Sequence, residues 1–208
     1  MSTPVFQLFI LRNNITASQL RNTLSKEEDD RLFQKEQASE SAVNAFPILL
    51  CESRWADESH PFWGVVRFPD LAARIQHTRT LNEIGWLDRN DAFTLLGTAD
   101  HEPEVVTISK PIYKVWVIKS NPAAAQAMAA LSEEATKAMW AKHNAIYKET
   151  GSQIVLSCNS YWSNEAYPAF GVSAYPNIEA NQKVMQTLTA LGWQRYFDSF
   201  TVLGTSDR

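Results

Sequence analysis

His143 is the residue of this chain best placed to do chemistry. It lies four residues after Met139 and three before Ile146, so helical spacing sets it beside an apolar stripe. An imidazole there titrates near neutrality and can serve as general base, general acid or ligand. The plainer alternative is a boundary histidine touching solvent. A second group is Asn159 and Tyr161, which share strand parity with Ser157 and would line one polar face. His60 precedes Pro61 in a loop, where functional residues concentrate. Glu52, Arg54 and Arg67 read first as a cross-strand ion pair, and His77 as a residue at the core edge. Cys51 and Cys158 stand alone in strands and read as buried thiols. The four histidines show no metal-ligand spacing. No phosphate-cradling glycine loop, nucleophile elbow, HExxH or CxxC is present.

The elements that must position these residues come in two sets. Shifted by 107 positions, residues 4–101 lie over 111–208 without a gap, and 30 of the 98 pairs are identical. The run from Cys51 to Pro61 lies over Cys158 to Pro168, and Phe93 to Thr98 over Phe200 to Thr205. Six of the seven glycines pair with one another, leaving Gly151. The reading is a repeat at 1–101, a linker at 102–110 and a repeat at 111–208. Val105–Ile108 in the linker is a candidate edge strand. The repeats differ at chemically telling places: His143 faces Glu36, His60 faces Tyr167, and Arg67 faces Ala174. The polar strand of the second repeat makes that half the favoured binder.

Val5–Leu11 and Ile112–Ile118 are short, apolar and β-prone, which predicts first strands. Glu-rich helical stretches follow, with Ser25 and Ser132 as candidate N-caps inside them, giving one bent helix or two. Second and third strands fall at Ile48–Ser53 and Trp63–Phe68, repeated at Val155–Ser160 and Phe170–Tyr175. Asp70 and Asn177 cap a second long helix that stops at Gly85 and Gly192. Ala92–Leu96 and Ser199–Leu203 complete a β-α-β-β-α-β unit, the ferredoxin-like arrangement. The fold class is α+β. The sheet face opposite the helices is also apolar, so two repeats pressed sheet to sheet would form an intramolecular, pseudo-dimeric α/β barrel.

The phrases Gly64-Val-Val-Arg-Phe-Pro-Asp70 with Gly85-Trp86, and Gly171-Val-Ser-Ala-Tyr-Pro-Asn177 with Gly192-Trp193, resemble the dimeric α/β-barrel superfamily. The likeness is to a tandem-duplicated, uncharacterised family within it. The resemblance covers nearly the whole chain, and its motifs are structural. The superfamily includes cofactor-independent monooxygenases, polyketide cyclases, haem-degrading enzymes, chlorite dismutases and aldoxime dehydratases. It implies a ligand between the sheet and the helices of a unit. Tandem relatives that carry haem place their proximal histidine on a helix of the C-terminal half, a placement similar to that of His143.

Composition narrows the classes. The chain has 208 residues, 45% of them hydrophobic, and a net charge of -4. No basic surplus exists for a phosphate backbone, so no nucleic-acid partner is expected. No apolar run reaches the length of a membrane span, no secretory signal is visible, and two cysteines suit a reducing cytoplasm. The first expectation is therefore a cofactor-free enzyme, monomer or homodimer. It would use proton transfer to cyclise, isomerise or oxygenate a small apolar, aromatic or polyketide-like ligand. His143 would act as base or acid, Asn159 and Tyr161 as orienting groups, and His60 as a second proton-transfer group. The alternatives are a haem protein of the dehydratase or dismutase type with His143 as axial ligand, and a non-catalytic binding or interaction protein.

Overall fold

The computed structural model describes residues 3–206, the side chains of residues 18 and 21 excepted. The chain divides into two compact units, Met1–Ala99 and Asp100–Arg208. The first runs β1 (Val5–Arg12), α1 (Ile15–Asn22), α2 (Lys26–Ala42), β2 (Phe46–Glu52), β3 (Phe62–Phe68), α3 (Leu71–Glu83), α4 (Trp86–Arg89) and β4 (Asp91–Gly97). The second runs β5 (Ile112–Ile118), α5 (Pro122–Ala129), α6 (Glu133–Glu149), β6 (Gln153–Asn159), β7 (Ala169–Tyr175), α7 (Ile178–Ala190) and β8 (Ser199–Thr205), with one 3₁₀ turn at Trp193–Arg195. Each unit is an antiparallel, ferredoxin-like sheet, in strand order β4-β1-β3-β2 in one and β8-β5-β7-β6 in the other.

Local chemistry explains the breaks. The first helical stretch of each unit is two helices, because Ser25 and Ser132 stop one and start the next. The Ser25 hydroxyl accepts from the Glu28 N–H while the Glu28 carboxylate accepts from the Ser25 N–H, a reciprocal cap. Ser132 accepts from the Ala135 N–H. Asp70 and Asn177 cap α3 and α7 through the N–H groups of Ala73 and Ala180. Gly85 and Gly192 follow those helices with φ of 67° each. The seventh glycine has a counterpart after all: Gly151 (φ 64°) ends α6 where Asn44 (φ 54°) ends α2. Asparagine is among the few residues that tolerate this left-handed backbone.

Two expectations are corrected here. The strands do not close into a barrel: pairing stops at β4 in the first unit and at β6 in the second. The linker is not an edge strand either. The Glu104 N–H donates to the Val155 carbonyl, at the bulge between Ile154 and Leu156, and the Thr107 N–H donates to Gln153 Oε1. The linker thus takes acceptors along β6 without forming a ladder, and Val105 is 82% exposed.

The middle of each sheet needs glycine. Gly64 lies under Phe9, where an added Cβ would stand 2.8 Å from Cζ. At Gly171 the added atom would overlap both the Trp116 ring and the Leu156 carbonyl oxygen. Each glycine pairs across the ladder with the residue whose ring occupies its Cβ space, so substitution must displace a ring or a strand. Gly171→Ala is expected to destabilise the protein by about 2 kcal/mol or more, as core overpacking does. Urea denaturation checks this, and an unchanged midpoint would contradict it.

Candidate functional site

In each unit a cation of the layer between sheet and helices stands against an aromatic face, buried in the second unit and half-buried in the first. In the second unit the cation is Lys114, in the middle of β5 and directly opposite Ser173 on β7. Its Nζ donates to Asn181 Oδ1 at 3.1 Å and contacts Met185 Sδ at 3.0 Å, both on α7. The same nitrogen stands 5.1 Å from the centre of the Tyr175 ring. Burial lowers its pKa to about 8. The Tyr175 hydroxyl lies 3.0 Å from that of Tyr147 on α6, which is also 3.2 Å from Ser173 Oγ. Burial, with Tyr147 beside it, pushes the Tyr175 hydroxyl far up, so it stays protonated.

His143 sits one turn before Tyr147 on α6 and is 6% exposed. Its ring is stacked on Trp193 at 4.9 Å and 16°, tilted against Tyr147 at 4.8 Å, and edge-on to Trp140 at 5.4 Å. Trp193 in turn stacks on Phe197 at 4.3 Å. Burial lowers the His143 pKa, so the ring is neutral at pH 7. Its Nδ1 is 3.1 Å from Asn144 Oδ1. With the Asn144 carbonyl oxygen as acceptor, Nδ1 would carry the proton and Nε2 the lone pair.

In the first unit the roles of strand and helix are exchanged. The strand position matching Lys114 is Gln7, and the helix position matching Asn181 is Arg74. The Arg74 guanidinium lies 5.6 Å from the centre of the Phe68 ring, and burial lowers its pKa to about 10. Its Nε and Nη1 are buried without a hydrogen-bond partner. His77, one turn on, is 4% exposed, with Nδ1 at 2.8 Å from Ser39 Oγ. Burial, and then the charge of Arg74, lower its pKa to about 4. Arg74 and Gln7 line an open cavity of about 450 Å³, together with Asn14, Trp86, Asn90 and Asp91 among others.

The residues singled out in the sequence are scattered. His143 is in the aromatic cluster of the second unit. Asn159 is exposed, and its Oδ1 accepts the Tyr161 N–H at 3.0 Å; the Tyr161 side chain is 57% exposed. Neither shares a hydrogen bond with His143. His60, in the first unit, holds Nδ1 at 2.8 Å from Asp57 Oδ2, a contact that lowers the Asp57 pKa. Arg67 lies over the Phe46 ring. Cys51 and Cys158 are buried and free, and burial raises both thiols, that of Cys158 to about 12. Among the described residues, no three His, Cys, Asp or Glu side chains gather as a metal site. Lys114, Arg74 and Tyr147 were missed. A lone lysine inside the apolar run Ile112–Ile118 was the legible signal for the first.

No family profile matches the chain, and no curated protein does. Solved structures match over the whole length. A Trp-to-Val variant of chlorite dismutase from Candidatus Nitrospira defluvii is 14% identical, with a TM-score of 0.74, covering 100% of this chain and 92% of that one. The same organism's chlorite dismutase in complex with imidazole is 12% identical, with a TM-score of 0.66 and coverage of 98% and 91%. A further candidate chlorite dismutase is 10% identical, with a TM-score of 0.68 and coverage of 99% and 96%. The chain therefore has a chlorite dismutase-type fold, built of the ferredoxin-like β-α-β-β-α-β units read from its sequence. These likenesses lend no support to the cofactor-free reading. No helix among the described residues is long and apolar enough to cross a membrane.

Two pH effects follow from the buried bases. Lys114 binds fewer protons folded than unfolded between pH 8 and 10.5, so its penalty on folding eases as pH rises through that window. Wild type should gain stability relative to Lys114→Met between pH 8 and 10, read by urea denaturation; parallel curves would contradict this. His77 binds fewer protons folded between pH 6.5 and 4, so stability is lost as pH falls through that range. His77→Val, which copies Val184 at the matching position, should flatten that acid limb. An unaltered limb would exclude the assignment.

Proposed function

We propose that the chain is a haem-binding protein of the dehydratase or dismutase type, with His143 as the axial ligand in the second unit. The observation that carries the reading is the buried His143 ring with Nδ1 set 3.1 Å from Asn144 Oδ1. With that oxygen as acceptor and burial favouring the neutral ring, Nε2 would be left with the lone pair a metal ligand requires. On this count the residues fit the group. The chlorite dismutase-type fold supports the same choice, the dismutase type being the haem-carrying alternative.

Bound there, haem would supply redox chemistry that no side chain of this protein provides. The chain's own residues do the rest. Asn144 fixes the orientation of the imidazole. Trp193, Trp140 and Phe197 form an apolar wall that keeps water from it and suits a flat macrocycle. His143 is only 6% exposed, and Trp140 and Trp193, which meet edge to face at 5.2 Å, would have to part for its Nε2 to hold the group.

We also read the units as tandem copies of one ancestral β-α-β-β-α-β gene. Support comes from the identities at a fixed offset of 107 and from repeated caps at Ser25 and Ser132, Asp70 and Asn177, and Gly85 and Gly192. Two buried free thiols suit the cytoplasm.

Purified protein titrated with hemin should develop a Soret band and lose tryptophan fluorescence, and His143→Ala should do neither. Colourless protein without hemin uptake, or a Soret band unchanged in His143→Ala, would overturn the assignment.

A further inference from the structure

One contact of Lys114 is left unused by the haem reading. Its Nζ lies 3.0 Å from Met185 Sδ. That is within the ~3–3.5 Å at which a bond-forming pair of atoms is poised to react. The amine is held there. Asn181 Oδ1 accepts one N–H at 3.1 Å, the Tyr175 ring closes another side, and Lys114 is 5% exposed. Burial lowers its pKa to about 8, so a share of the amine is free base near neutrality. Met185 is half-buried on α7, so part of its side chain meets solvent. The pair belongs to the second unit alone: Gln7 and Thr78 stand at the matching positions of the first.

We propose that Lys114 and Met185 are an oxidative modification site, at which a hypohalous acid joins Nζ to Sδ as a sulfilimine and so ties β5 covalently to α7. With hypochlorous acid, the thioether takes up chlorine as a chlorosulfonium and hydroxide is released. The Lys114 lone pair then forms the S–N bond as the S–Cl bond breaks and chloride leaves. Of the two amine protons, one joins the hydroxide as water and the other passes to solvent. Sulfur gives up two electrons and chlorine accepts them. Water is the rival nucleophile, and its attack would leave a sulfoxide. A neighbour fixed at reacting distance competes with an effective molarity on the order of 10⁵ M. Burial of Nζ also keeps water from the bond-forming side. The tie joins residues 71 apart in the chain. Such a closure restricts the unfolded chain as a disulfide does. Neither His143 nor haem takes part, so this site stands or falls separately.

The test treats the full chain with hypochlorous acid, raised until Met128, also half-buried and on α5, carries oxygen. Tryptic peptides are then weighed without added thiol. Residues 90–119 and 184–195 should appear as one species at their summed mass less two hydrogens, since trypsin no longer cuts after the modified Lys114. Lys114→Arg should lose that species and convert Met185 to its sulfoxide. Should Lys114→Arg not fold, Met185→Leu decides: the swap conserves volume, and the joined species should vanish. Wild-type Met185 recovered as sulfoxide or unmodified, with normal cleavage after Lys114, would overturn the proposal, as would a joined mass that persists in Met185→Leu.

Discussion

A positive charge held against an aromatic ring, in the layer between sheet and helices, organises both halves of this protein. Such a charge is costly to bury, because water no longer solvates it. The ring offsets part of that cost; a desolvated cation on an aromatic face contributes about 2 kcal/mol. The remainder must come from oxygen or sulfur acceptors. Lys114 has them in Asn181 and Met185. Arg74 has only the Phe68 face at the two nitrogens that are closed off. One fold thus carries a completed polar layer in one unit and an incomplete one in the other.

That difference shapes the surroundings. In the second unit the completed layer lets Tyr147, Tyr175 and Ser173 join in a buried hydroxyl cluster, with His143 and Trp193 stacked beside it. The packing dries His143 and lowers its pKa, which favours the neutral ring and removes its value as a cation. In the first unit the positions of His143 and Tyr147 are Glu36 and Glu40, and the deep histidine is His77, paired with Ser39. Chemistry has been divided between units that share a backbone plan.

Much of the fold was legible because strands and caps are local. The apolar runs Val5–Leu11 and Ile112–Ile118, the caps Ser25, Asp70 and Asn177, and the stops Gly85 and Gly192 each announce an element from a few neighbouring residues. The linker was misread as a strand, since a β-prone run says nothing about whether a ladder partner is free; here a bulge in β6 and the Gln153 side chain take its bonds. Barrel closure was over-read for a similar reason: an apolar face calls for cover without dictating how it is covered. The site was less legible still. Lys114 and Asn181 are 67 residues apart, and their bond depends on the crossing of β5 and α7. Asn159 and Tyr161 drew notice through strand alternation, yet the strand ends at Asn159 and its side chain turns back to cap the loop.

The distinction between a satisfied and an unsatisfied cation is open to direct inspection. A high-resolution crystal structure of the ligand-free protein should show Arg74 stacked on Phe68 with no Asp or Glu oxygen within hydrogen-bonding reach of Nε or Nη1. A protein carboxylate seated on that guanidinium would contradict the account, because the first unit would then be as complete as the second.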